Sequence, residues 1–193
     1  MAIRNNLELI TGPVCCGKSE ELLRRITRYE IAGYNVLVVK PKLDTRSNFV
    51  KSRNGSQKNC ISLENPQDIY SEIDNYVKNY SKSIDIIAFD EGQFYKDLYR
   101  VVKDLILKKI KVLVSALDTD FNGEPFGDII KLVTLSDSVN KLSAVCMNCK
   151  CDHAIFSQKL KQGGDQIEVG DLELYQPRCI SCFIPGGIKD GSQ

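Results

Sequence analysis

The sequence predicts an α/β protein, a parallel sheet with helices on both faces, followed by a small C-terminal appendage. Short apolar runs alternate with segments of helical period, which is the signature of βα units. A glycine-framed loop, GPVCCGKS, follows the first apolar run. Beyond about residue 145, cysteine pairs, glycines and prolines replace the long apolar runs.

Leu7 to Ile10 reads as a buried strand, and Leu22, Leu23, Ile26 and Tyr29 recur at helical spacing, with Gly33 as the stop. VLVV at 36 to 39 is the second strand. Asn65-Pro66 reads as cap and first turn of a helix carrying Ile69, Ile73, Val77 and Tyr80, ahead of the strand IDIIAFD at 84 to 90. A third helix carries Leu98, Val101, Val102, Leu105 and Ile106, and the strand KVLVSAL at 111 to 117 follows. Strand order is not legible. The domain boundary is expected near Ala144, giving units at 1–144 and 145–185 and a loose tail at 186–193.

The 193 residues, 42% hydrophobic, suffice for one real core and one appendage. Twenty-six Lys plus Arg against 25 Asp plus Glu leave a formal charge of +1, so no global basic field attracts nucleic acid or anionic membrane. The start, MAIRNNLELITG, lacks a secretory apolar core, and no stretch approaches the roughly 18 apolar residues of a membrane helix. The expected address is cytoplasmic, without nucleic-acid or membrane partners.

GPVCCGKS fits G-x-x-x-x-G-K-[ST] between a strand and a helix, the context of a Walker A phosphate loop. Gly12 and Gly17 let backbone N–H groups turn inward around a phosphate. Lys18 can reach the outer phosphates, and Ser19 can offer its hydroxyl to Mg²⁺. Cys15 and Cys16 read as space-filling residues. The sharper alternative is a redox or alkylation switch, because a helix N-terminus can lower a thiol pKa.

IIAFDEGQF ends a core strand in Asp90 and Glu91. Asp90 takes the Walker B place beside Mg²⁺, and Glu91 is positioned to act as general base. Asn140-Lys141-Leu142-Ser143 lacks the final acid of a guanine reader, which leaves ATP as the default donor.

Cys146 and Cys149 form one C-x₂-C pair and Cys179 and Cys182 another, the spacing of a zinc ribbon. Four thiolates close a tetrahedral shell, so the zinc is expected to be structural. Cys151 and His153 read as bystanders, and Cys60 has no nameable partner. Residues 150–178 become a loop held at both ends, suited to covering substrate.

Taken in order, GPVCCGKS, KPKLDTR (40–46), FDEGQF, ALDTDFNGEPFG (116–127) and the two cysteine pairs flanking IEVGDLELY resemble the type II, zinc-containing thymidine kinase family over residues 6 to 183. The resemblance implies a P-loop parallel sheet with a zinc-ribbon domain, and transfer of the ATP γ-phosphate to the thymidine 5′-hydroxyl with Mg²⁺. It also implies a homotetramer and feedback inhibition by dTTP. By the same resemblance Glu91 is the base, Asp90 supports Mg²⁺, and Asp44 and Arg46 lie beside metal and phosphates. Phe94, Phe121 and Phe126 form an apolar cradle, while Val169, Gly170 and Tyr175 read thymine mainly through main-chain groups.

Three departures from the family pattern stand out. Gly170-Asp171 replaces a Gly-Gly pair, the segment after Cys149 runs one residue longer, which bears on Ser157 near the thymine methyl, and 47–58 matches weakly and reads as a mobile loop. Deoxyuridine, one methyl smaller, is the expected secondary substrate, since a methyl in an apolar pocket is worth only about 1–3 kcal/mol. A broader nucleoside kinase is the nearest rival. From other classes, an ATP-gated nucleic-acid module is disfavoured by the neutral charge, and a zinc protein with a decayed ATP site by the presence of Lys18, Ser19, Asp90 and Glu91.

Overall fold

The computed structural model describes residues 6–44, 49–52, 54–160 and 174–187. Six parallel strands form the main sheet: β1 (Leu7–Thr11), β2 (Val36–Pro41), β5 (Ile61–Leu63), β6 (Ile86–Phe89), β7 (Lys111–Ala116) and β8 (Ser136–Lys141). Their order across the sheet is β5-β2-β6-β7-β1-β8. Every neighbouring pair is parallel, so the carboxyl ends of β1, β6 and β7 share one edge. Ligands of open α/β sheets bind along that edge.

Strand side chains alternate between faces, and this alternation divides the core in two. Leu9, Val39, Ile87, Phe89, Val112 and Val114 pack with α2 (Ile69–Tyr80), α3 (Leu98–Leu107) and α4 (Ile129–Leu132). Ile10, Val38, Ile86, Ala88 and Leu113 pack on the other face with Leu22, Leu23 and Ile26 of α1 (Lys18–Ile31). Each such side chain contributes about 1.5–3 kcal/mol on burial. Helices therefore cover both faces, as the sequence predicts.

Helix α1 stops where Gly33 takes φ 88°, with N–H groups of Gly33 and Tyr34 closing on the carbonyls of Glu30 and Tyr29. A Cβ is strained in that conformation. Asn65-Pro66 opens a 3-10 turn, Pro66–Asp68, in which the Asp68 carboxylate accepts from the Asn65 N–H, and α2 proper begins at Ile69. Val77 and Tyr80 differ from the expected apolar stripe and lie exposed, because α2 turns Ile69, Tyr70, Ile73 and Tyr76 to the core instead.

The weakly patterned stretch 47–58 holds part of an antiparallel pair, β3 (Phe49–Lys51) with β4 (Gln57–Asn59), whose few residues and polar composition hide it from periodicity. The polar edge strand β8 also lacks an apolar run, since only one of its sides is paired. Beyond it, β9 (Phe156–Lys159) and β10 (Tyr175–Arg178) form a separate antiparallel hairpin. Residues 188–193 of the expected tail lie outside the described residues. Among the described residues no helix is long and apolar enough to cross a membrane.

Opposite the ligand edge, Glu8 on β1 receives Arg25 at 2.8 Å, the Tyr29 hydroxyl at 2.5 Å and Lys111 at 3.0 Å. Burial pushes the Glu8 carboxyl up, but Tyr29, Lys111 and Arg25 outweigh it and hold it below the usual range. Its stabilising contribution is therefore present above the unfolded-state pKa and is lost as pH falls through the depressed folded value. Glu8→Ala is expected to cost about 3 kcal/mol in urea unfolding at pH 7, with the difference from wild type shrinking below pH 4.

Candidate active site

The loop after β1 turns back at Gly12, φ 142°, where a Cβ would stand 2.4 Å from the Leu142 carbonyl oxygen and 2.8 Å from Cys16 Sγ. No other residue fits. Gly17, φ 88°, then leads into α1, whose N-terminal partial charge faces the loop and is complemented by Glu20 and Glu21 in the first turn. Lys18 is largely buried, and its Nζ donates to the Pro13 carbonyl at 2.6 Å, curling the side chain over the loop mouth.

Across β7, the end of β6 supplies the acids. Ser19 Oγ lies 3.4 and 3.5 Å from the two Asp90 carboxylate oxygens, so hydroxyl and carboxylate meet from the first turn of α1 and the end of β6. These are the donors a Mg²⁺ shell takes. Burial, then the neighbouring Glu91 charge, pushes Asp90 up to about 7, with Lys18 pulling the other way.

Glu91 adopts φ 51°, ψ 41°, uncommon for a residue with a long side chain and a mark of functional sites. The chain then passes so close to the core that a Cβ on Gly92 would meet Val114 Cγ1 at 2.9 Å. Gln93 Nε2 donates to Glu91 Oε2 at 2.6 Å. Gln93 was not singled out by spacing, although a buried glutamine inside FDEGQF is the kind of polar residue that needs partners.

Asp44 is buried beside Lys40, 3.7 Å away, and Lys40 itself is 1% exposed. Lys40 is a second residue that periodicity passes over, since it reads as the polar end of a strand. Cys60 lies near the charges of Lys40, Asp90 and Asp44, and its burial pushes the thiol up. Arg46, Val169, Gly170 and Asp171 lie outside the described residues.

Two of the three phenylalanines are in ring contact, and the third meets the β9-β10 hairpin. Phe94 and Phe126 meet edge to face at 6.0 Å, and Phe121 lies under the Lys159 ammonium at 4.9 Å. Tyr175, half-buried, pairs with Lys159 across the β9-β10 hairpin. The hairpin also reaches the phosphate loop, because the Val14 N–H donates to Ser157 Oγ at 3.0 Å. Beside it, Asp118 is buried and pairs with Lys141 at 2.7 Å.

Cys15 takes φ 65°, and Cys16 packs against the cluster of Ala144, Cys146, Ala154 and Cys179. Burial pushes the Cys16 thiol up, against the pull of Lys18. A thiol held protonated supports the space-filling reading of Cys16 over the switch.

In the cysteine cluster the sulfurs of Cys146, Cys149, Cys151 and Cys179 all lie within 4.8 Å of one another. Four thiols at that spacing fit one tetrahedral metal ion. Burial would raise the Cys146 thiol, but backbone N–H groups of Cys179, Cys149 and Asn148 outweigh it and lower it to about 6, as suits a thiolate ligand. Cys151, read as a bystander, thus stands inside the group. Cys182 neighbours Cys179 and accepts from Asn148 Nδ2 at 3.3 Å. Spacing could not foresee this, because the turn at Cys146 brings Cys151 back, its carbonyl accepting from the Cys146 N–H at 2.7 Å.

A glycine-framed loop after β1 and paired acids after β6, at carboxyl ends separated by β7 in a parallel sheet, define the class: a P-loop nucleotide-binding protein with a metal-fitting cysteine module. Its family follows from comparison. The thymidine kinase family model matches residues 5–183. The thymidine kinase of Mycoplasma mobile is 40% identical over 183 residues, covering 93% of this chain and 88% of that protein. That of Mycoplasma genitalium is 42% identical over 89% of this chain and 80% of its own length, and that of Coprothermobacter proteolyticus 38% over 93% and 91%. The chain belongs to the thymidine kinase family. Among solved structures, AMPPCP-bound DnaA from Aquifex aeolicus covers 74% of this chain and 41% of its own at a TM-score of 0.39 and 14% identity, too remote to speak to fold or function.

The raised Asp90 pKa has a consequence for stability. A carboxyl raised in the folded state contributes most below its unfolded pKa, and that contribution is lost as pH rises from about 4 to about 7. Asp90→Asn is therefore expected to melt on the order of 5 °C above wild type at pH 8. Thermal scans should find the gain growing between pH 4 and 7 and level above, while activity is lost.

Proposed function

We propose that this protein transfers the γ-phosphate of ATP to the 5′-hydroxyl of thymidine, giving dTMP and ADP. The observation that carries the reading is the acid pair at the end of β6: Asp90 lies 3.4 Å from the P-loop serine hydroxyl across β7, and Glu91, next in the chain, accepts from Gln93. The family membership supports the substrate pair. Deoxyuridine is the secondary substrate on this reading.

The loop N–H groups and Lys18 hold the outer phosphates, while Ser19 and Asp90 are the ligands offered to Mg²⁺, which would neutralise charge on the phosphates when bound. Glu91 accepts the 5′-hydroxyl proton. The 5′-oxygen forms its bond to the γ-phosphorus as the bond from that phosphorus to the β,γ-bridging oxygen breaks, and ADP leaves. Asp44 and Arg46 belong beside the phosphates. Phe94, Phe121 and Phe126 bound the base, with Val169, Gly170 and Tyr175 completing the cover. A homotetramer and inhibition by dTTP rest on the resemblance, while the units at 1–144 and 145–185 rest on the change of sequence texture near Ala144 and a cytoplasmic location on the sequence reading; all belong to the same proposal.

With Mg²⁺ and γ-labelled ATP, label is expected on thymidine and deoxyuridine and far less on deoxycytidine and deoxyguanosine. Glu91→Gln should cost about 100-fold or more in kcat. Phosphate release driven only by single-stranded DNA, with no labelled nucleoside, would falsify the reading.

The metal proposed for the cysteine cluster is zinc, held by Cys146, Cys149 and Cys179, with the C-x₂-C spacing nominating Cys182 as the fourth ligand and the geometry adding Cys151. Because Cys151 and Cys182 both adjoin Cys179, they are expected to substitute for each other. Loss of Cys146 or Cys179 should remove the metal, whereas neither Cys151→Ser nor Cys182→Ser alone should. Metal content per chain and the thiolate absorption of the Co²⁺-substituted protein measure this.

A further inference from the structure

Gln93 lies two residues past Glu91 in a 3-10 turn, Gly92–Phe94, and is 3% exposed. Both ends of its amide are engaged. Oε1 accepts from the Leu117 backbone N–H at 3.0 Å, and Nε2 donates to Glu91 Oε2 at 2.6 Å. The Leu117 N–H fixes which way the amide points, since a flipped amide would set N–H against N–H and oxygen against carboxylate. Leu117 directly follows β7, the strand between the phosphate-loop strand and the acidic strand. A glutamate in left-handed backbone conformation is thereby tied to the sheet core through a second side chain.

We infer that Gln93 is a positioning residue that aims the Glu91 carboxylate at the acceptor hydroxyl, anchoring it through Leu117 to the end of β7. The inference rests on the reading of Glu91 as proton acceptor. Gln93 supplies a directed donor to one Glu91 oxygen, and a general base that strays by about 1 Å from its aim loses on the order of 100-fold in rate. Substrate affinities are left alone, because among the described residues neither side-chain hydrogen bond of Gln93 goes to the phosphate loop or the phenylalanines.

The test is a double-mutant cycle on the intact protein, with Gln93→Met, which keeps size and removes the donor, and Glu91→Gln. Gln93→Met is expected to lower kcat by about 10- to 100-fold and to leave KM for thymidine and ATP within about twofold. In the Glu91→Gln background the same change should cost nothing further, because there is no base left to aim. Gln93→Glu, which keeps an acceptor for Leu117 and replaces the donor by a like charge, should lower kcat at least as much and serves where the methionine variant folds poorly. An equal loss from Gln93→Met in both backgrounds, or a raised KM at constant kcat, would mark a merely structural role and overturn the inference. Full kcat in Gln93→Met with a slow Glu91→Gln overturns this inference alone. Full kcat in Glu91→Gln overturns the base assignment, and the inference with it.

Discussion

Parallel pairing is the constraint on which everything else in this molecule depends. Because β1, β6 and β7 run the same way, in a register that sets Thr11 beside Ala116 and Phe89 beside Val114, their carboxyl ends finish together. The phosphate loop follows the first, the acid pair the second, and the anchor for Gln93 the third. An antiparallel partner at any of these positions would send one group to the opposite edge of the sheet, well over 10 Å away. The chemistry therefore needs buried strands with helices on both faces, which accounts for cores of Val, Ile and Leu on either side.

What was legible in the sequence was local. GPVCCGKS carries its fold and its role within eight residues, and the strand ends at Asp90 and Glu91 are marked by the change from apolar to acidic. The major helices and strands follow from runs and periodicity. What stayed hidden depends on contacts between distant segments. The strand order places β7 between the two strands that carry the site, and no local pattern encodes that. Gln93 acquires meaning only from Leu117, and Cys151 only from the turn that brings it back to Cys146. Val77 and Tyr80 fit the stripe of α2 yet meet solvent, because apolar and aromatic residues at 69, 70, 73, 76, 77 and 80 allow more than one face and the fold buries the one with Tyr70 and Tyr76.

Several of the groups nearest the chemistry are held in costly states. Asp90 is pushed toward its neutral form by burial and by Glu91, and Glu91 sits in a left-handed conformation. Such costs, of order 1–3 kcal/mol for a strained residue, persist because the surrounding packing fixes the backbone: Gly92 lies against Val114 and Leu98 with no space for a side chain. The apparatus at the opposite edge works in the other direction. There Glu8 is matched by Arg25, Tyr29 and Lys111, so the charges at that edge stabilise the fold where those at the other edge strain it.

The cysteines of the phosphate loop show how a motif divides its labour. Loops of this pattern grip phosphate by backbone groups, which leaves the side chains at the variable positions, here Val14, Cys15 and Cys16, without that duty. Cys16 spends that freedom against the cysteine cluster, and the adjoining Val14 N–H is bound by Ser157 of the second hairpin. The identity of Cys16 thus answers to the neighbouring module. Across descendants of such a chain, loop and hairpin should drift as a matched pair, and a loop transplanted without its hairpin should fit poorly even with every glycine, the lysine and the serine intact.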